Sequence, residues 1–91
     1  MTAAHFSELE LLCALHNQAT CDYSHCEKFY KRMAQYLDTL EDMGDYRFAG
    51  IVMEALVNCV PNPSGSCKTS DRVQSVMRKL HALASKAVLA A

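Results

Sequence analysis

Four residues of the types that bind zinc lie close together near the start of the chain. They are separated by gaps of two, four and four residues, and the set is Cys13, His16, Cys21 and Cys26. Zinc in proteins prefers four nitrogen or sulfur ligands in a tetrahedron. The spacing therefore predicts a small zinc site, with His25 as an alternative ligand beside Cys26.

The same residues have a second interpretation, as packed core side chains. Cys13 and His16 fall on the apolar stripe of a predicted helix, where a buried thiol behaves as a small apolar group. The gaps resemble those of the retroviral zinc knuckle, but histidine is second here rather than third, and the usual glycine and aromatic residue are absent. We therefore favour packing and expect neither a metal nor another cofactor.

His81 could carry a different chemistry. Residues 80–87 resemble the active stretch of histidine phosphotransfer domains in His81, Leu83 and the small residues that follow. That family is a helical bundle with one exposed histidine, so the resemblance implies a phosphoryl acceptor at His81. Ala84 and Ser85 stand where the family has lysine and glycine, which removes a charge that helps to orient phosphate.

Other catalytic patterns are absent from the sequence. It has no glycine-rich phosphate loop and no nucleophile elbow, and its paired carboxylates fall on exposed helix positions. We therefore predict that the chain is not an enzyme. The net charge of −1 provides no field that would attract nucleic acid, so a nucleic-acid-binding regulator stays open only as an alternative.

The hydrophobic periodicity predicts an all-α fold, a compact bundle of four helices in one domain, 1–91. A capping box at Ser7 and Glu10 starts the first helix, and Gly44 ends a long central helix 2. The turn at Gly44 is so short that helix 2 must lie antiparallel to helix 3. Helix 3 is apolar most of the way round, which is typical of a central helix, and Gly50 would permit a close crossing. The predicted helices span about 8–16, 24–43, 46–59 and 70–89.

The chain carries more apolar material than a bundle of its size can bury, since 51% of its 91 residues are hydrophobic. We therefore expect a homodimer or another protein partner, with Tyr30, Met33, Tyr36 and Met53 as contact candidates. No apolar run is long enough to span a membrane, and no signal peptide is recognisable. Five cysteines are an odd number for a disulfide scaffold, so we expect a cytoplasmic protein. The predicted function is a non-enzymatic regulator or adaptor, such as an inhibitor, an antiactivator or a chaperone-like protein.

Overall fold

Four helices make up nearly all of the residues that the computed structural model describes, which are 2–18, 23–59 and 70–90, and these ranges contain no strand. The predicted all-α bundle is therefore confirmed. Helices 2, 3 and 4 agree with their predicted bounds to within one residue at each end. The four helices are α1 (Ala3–Gln18), α2 (Tyr23–Asp42), α3 (Tyr46–Asn58) and α4 (Ser70–Ala90).

Helix α1 begins five residues earlier than predicted. The Thr2 hydroxyl accepts a hydrogen bond from the backbone N–H of His5 at 3.2 Å and also contacts the His5 ring. An oxygen that accepts from the third helical residue caps a helix N-terminus. Thr2 therefore takes the capping role that the sequence assigned to Ser7, which lies inside the helix instead.

The helices form a ring in which each packs against two others. Helix α2 lies between α1 and α3, and α4 closes the ring by packing against both α3 and α1. Within the described ranges, neither diagonal pair is in contact. The bundle measures 43 × 21 × 18 Å. None of the four helices is both long and apolar enough to span a lipid bilayer.

The turn between α2 and α3 is built around Gly44, which has a φ of 76°. The Gly44 N–H donates to the Glu41 carbonyl at 3.0 Å, and the Asp45 N–H donates to the Leu40 carbonyl at 2.9 Å. This pair of bonds is the Schellman motif, which satisfies the last carbonyls of a helix. Since α3 begins at Tyr46, the chain reverses direction within three residues and the two helices pack antiparallel, as predicted.

One continuous core fills the ring, and every helix contributes to it. The side chains that are almost completely buried are aliphatic, aromatic or thioether groups, and none of the charged side chains among the described residues is buried. Burial of a large apolar side chain contributes about 1.5–3 kcal/mol, so this cluster supplies most of the stabilisation. The largest members are Leu9, Leu12, Phe29, Met33, Leu40, Val52, Val73, Met77 and Leu80.

Gly50 is not at a crossing between helices of this chain, so the prediction of a close approach there within the bundle is wrong. It lies on the solvent side of α3, and a Cβ added to it would have no neighbouring atom within 4 Å. Gly44 has the same open space but a positive φ. The two glycines therefore differ in backbone conformation and not in crowding.

Replacing each glycine by alanine should change stability in opposite directions. Gly50→Ala should raise the free energy of unfolding by about 0.5–1 kcal/mol, because alanine costs less backbone entropy inside a helix. Gly44→Ala should lower it by about 1–2 kcal/mol, because an L side chain is strained at positive φ. Urea unfolding of dilute protein, followed by circular dichroism, measures both changes. A loss of stability in Gly50→Ala would contradict the open surroundings of Gly50.

Candidate functional site

Two of the four predicted partner contacts are core residues. Met33 and Tyr36 are buried inside the ring, so the prediction that they contact a partner needs correction. The Tyr36 hydroxyl donates a hydrogen bond to the backbone carbonyl of His5 at 2.9 Å, which joins α2 to the first turn of α1. Helical spacing could not separate these residues from a surface stripe, because core and interface positions share the same period. Tyr30 and Met53 do lie at the surface.

Four exposed positions form a single stripe along α3, which we call the outer face: Tyr46, Gly50, Met53 and Val57. Their spacings of four, three and four residues keep them within about 60° of each other on a helix of 3.6 residues per turn. The side chains of Tyr46, Met53 and Val57 are 71%, 46% and 70% exposed. The buried side chains of α3, including Phe48, Val52 and Ala55, lie on the opposite side. The outer face is therefore an apolar surface on a helix that already has a complete core face.

Of the four contact candidates predicted from the sequence, Met53 is the one that lies on this face. Because α3 is apolar on nearly every side, we predicted a central helix, but the ring gives it only two neighbours, α2 and α4. The side of α3 that faces away from both neighbours exposes Tyr46, Met53 and Val57 to solvent. The spacing of 46, 50, 53 and 57 was the available signal, and it was hidden by a second apolar stripe on the same helix.

Opposite charges flank the outer face on one side. Arg47 and Glu54 are both exposed and are separated by seven residues, which places them on the same edge of α3. The Arg47 guanidinium lies 5.9 Å from the centre of the Phe48 ring, and Glu54 lies 3.9 Å from Lys79 of α4. An exposed ion pair at that distance contributes little to stability. Glu54 therefore remains available to a ligand, and so does Arg47.

Two of the predicted zinc ligands have other roles in the bundle. His16 Nδ1 lies 2.7 Å from Gln74 Oε1 of α4, and the His16 ring packs against Phe29 of α2 at 5.0 Å between ring centres. His16 thus joins three helices, as the packing interpretation expects. Burial, and then the nearby Glu10 carboxylate, raise the pKa of the Cys13 thiol. A raised pKa is the opposite of what a nucleophilic cysteine needs.

The zinc hypothesis itself stays a prediction. Among the residues that the structure covers, no three histidine, cysteine or acidic side chains are arranged to hold a metal ion. Cys21 lies outside the described residues, and so does the side chain of His25. The described side chains therefore include three of the four predicted ligands, Cys13, His16 and Cys26, but not the fourth.

His81 lies near the middle of α4 and is partly exposed. Its ring packs against Phe6 at 5.1 Å between ring centres, and its Nε2 lies 3.9 Å from a Glu10 carboxylate oxygen. It also lines a shallow pocket between α1 and α4 with Cys13, Gln74, Met77 and Arg78. A carboxylate so close to the ring would repel an incoming phosphoryl group, which opposes the phosphotransfer resemblance.

A second depression lies between α3 and α4. It is open and mixed in charge, and its lining includes Glu54 and Asn58 on one side and Asp71 and Arg72 on the other. Enclosed apolar sites with a few converging polar groups are typical of small-molecule binding. This groove is open and is lined mainly by polar side chains. The outer face of α3 is therefore the better candidate site.

The chain matches no protein-family model, and comparisons with curated proteins and with solved structures give no significant match.

Removing the Tyr36 hydroxyl should destabilise the bundle. Tyr36→Phe should lower the free energy of unfolding by about 1 kcal/mol at pH 7, because one interhelical hydrogen bond is lost. Tyr30→Phe on the same helix is the matched control and should have little effect, because Tyr30 is at the surface. Chemical denaturation of the three proteins measures the difference. Equal stability of Tyr36→Phe and wild type would show that the bond to His5 contributes nothing.

Tyr36 should also make stability depend on high pH. Burial raises the pKa of Tyr36, with smaller contributions from Asp45, Glu8 and Cys13. Above about pH 10, the unfolded tyrosine loses its proton while the folded one retains it, so unfolding becomes more favourable. The wild type should therefore lose stability above that pH, and Tyr36→Phe should lose less.

The thiol of Cys13 should react slowly while the protein is folded. At pH 8, iodoacetamide should modify Cys13 faster in urea than in the native state, because burial limits access to the thiol and raises its pKa. Glu10→Gln should modestly increase the native rate, and Glu8→Gln should not, since only Glu10 raises this pKa by its charge. Peptide mapping by mass spectrometry gives the rate at Cys13 alone. A native rate equal to the rate in urea would contradict the partial burial of the Cys13 thiol.

Proposed function

We propose that this protein is a non-enzymatic protein-binding module and that the outer face of α3 is its docking surface. The observation that carries the proposal is the exposure of Tyr46, Met53 and Val57 in one stripe, on a helix whose other side completes the core. Tyrosine and methionine are enriched at protein interfaces, where they supply a large contact area and adapt to a partner's shape.

The surroundings of the outer face also suit a protein ligand. Arg47 and Glu54 provide a charged edge beside the apolar stripe, which is the arrangement of an interface core and its polar rim. A helix with apolar positions at these spacings can pack against a helix of the partner by the same geometry that forms bundles and coiled coils.

A regulatory or adaptor role follows from a module that binds and does no chemistry of its own. Such a module can cover a partner's active or assembly surface, as an inhibitor or antiactivator does, or shield an apolar segment as a chaperone does. We place this role in the cytoplasm, because an odd number of cysteines is unusual for a secreted disulfide scaffold. Tyr30 on α2 could extend the contact, since it is also exposed.

A matched pair of charge substitutions tests the docking surface. Val57→Lys places a charge on the outer face, and Leu11→Lys places the same charge on α1, at a side chain that is 59% exposed. Helices α1 and α3 are not in contact in the described structure, so the two variants probe separate surfaces. Both should fold like the wild type, because neither side chain belongs to the core.

Each protein is immobilised and exposed to extract, and the retained proteins are quantified by mass spectrometry. We expect Val57→Lys to reduce the retention of specific partners by about tenfold or more, because the lysine charge would be buried against the partner without a compensating group. Leu11→Lys should retain them as the wild type does. Identical retention by all three proteins, or a loss confined to Leu11→Lys, would refute the outer face as the docking surface.

A further inference from the structure

We propose that the outer face of α3 binds a second copy of this chain, with the two α3 helices antiparallel about a two-fold axis. The inference rests on the proposed function, since it names the occupant of that same surface. It follows from three properties of α3: the spacing of the exposed residues, the position of Gly50 among them, and the order of the two flanking charges.

The spacing of the outer face is that of a helix–helix seam. Positions 46, 50, 53 and 57 alternate steps of four and three, as the buried positions of coiled coils do. A two-fold axis opposite the point midway between residues 51 and 52 relates position 46 to 57 and position 50 to 53. Tyr46 then packs against the partner's Val57, and Gly50 faces the partner's Met53. Each of the four positions of the outer face therefore meets a position of the outer face on the other copy.

Gly50 is explained by this pairing and not by the monomer. Within one chain, an added Cβ at Gly50 would meet nothing within 4 Å, so no neighbour requires glycine there. In the antiparallel pair, the missing side chain leaves a gap at the place where the partner's Met53 arrives. Methionine is long and flexible, and it fills irregular gaps well. The largest flexible side chain of the seam thus meets its smallest residue, twice.

The flanking charges are complementary to themselves. Arg47 and Glu54 lie on the same edge of α3, one towards each end of the seam. The two-fold axis brings Arg47 near the partner's Glu54 and Glu54 near the partner's Arg47, which gives two opposite-charge contacts. In a parallel pair, Gly50 would meet the partner's Gly50 and leave a void, and these edges would lie on opposite sides of the seam. The antiparallel arrangement is therefore the one that satisfies both packing and charge.

The predicted dimer is weak. Helix α3 has 13 residues and is about 20 Å long, so the seam alone provides a small contact area. Interfaces at the low end of the size range are typical of transient association. A protein that exchanges between self-association and binding elsewhere through one face would suit the regulatory role proposed above.

Charge reversal with rescue tests the pairing. Sedimentation velocity of the wild type, from about 10 µM to 1 mM, should show a sedimentation coefficient that rises towards that of a dimer. Arg47→Glu or Glu54→Arg alone should weaken association by about tenfold or more, because each single change turns both contacts into repulsions. The double variant, Arg47→Glu with Glu54→Arg, should recover it. Lys86→Glu makes the same change of charge on α4 and should leave association unaffected.

A packing variant provides an independent measurement. Gly50→Leu should abolish the dimer, because leucine fills the gap that receives the partner's Met53. It should not lower the thermal stability of the dilute monomer, because the position is open in the single chain. A wild type that stays monomeric at 1 mM, or a double charge variant that fails to recover association, would overturn the second copy as the occupant.

The two proposals fail differently. If the wild type is monomeric while Val57→Lys still loses a heterologous partner, the outer face binds another protein and only the dimer is wrong. If neither self-association nor partner retention depends on Val57, both proposals are wrong.

Discussion

A helix in a ring of four can bury only the side that points inward, and this geometric limit governs the molecule. The inward sides of all four helices meet in a single core of aliphatic, aromatic and thioether groups. Helix α3 also has apolar residues outside that side, and no third helix of the described structure packs against α3 to cover them. The exposed stripe is thus the surplus of a sequence that is more apolar than its position in the bundle requires, and it is the physical basis of the proposed interaction.

The helices could be predicted from the sequence because their signals are local. Periodic apolar residues and the glycine after α2 are signals between residues only a few positions apart, so the bounds of α2, α3 and α4 could be predicted closely. The start of α1 was missed because two capping residues compete, and Thr2 fits the observed start while Ser7 fits a later one. Local patterns could not decide between these two positions.

The side-chain roles were harder, because the fold brings together residues that are distant in the chain. His16 meets Gln74, Tyr36 meets the carbonyl of His5, and His81 meets Phe6. No local sequence pattern marks any of these pairs. The sequence therefore predicted His16 as a possible zinc ligand, from its spacing, and Tyr36 as a contact at the surface. His16 and Tyr36 each place a polar atom against a partner on another helix, as buried polar groups usually do.

The order of the helices around the ring has a kinetic consequence. Among the helices of the described ranges, three of the four packed pairs are consecutive in the chain, and the pair formed by α1 and α4 joins distant segments. Chains whose contacts are mainly local lose little loop entropy before their contacts form, and they fold in microseconds to milliseconds. The contact between the first and last helices joins the most distant segments, so it has the largest loop-closure entropy cost of the four packed pairs.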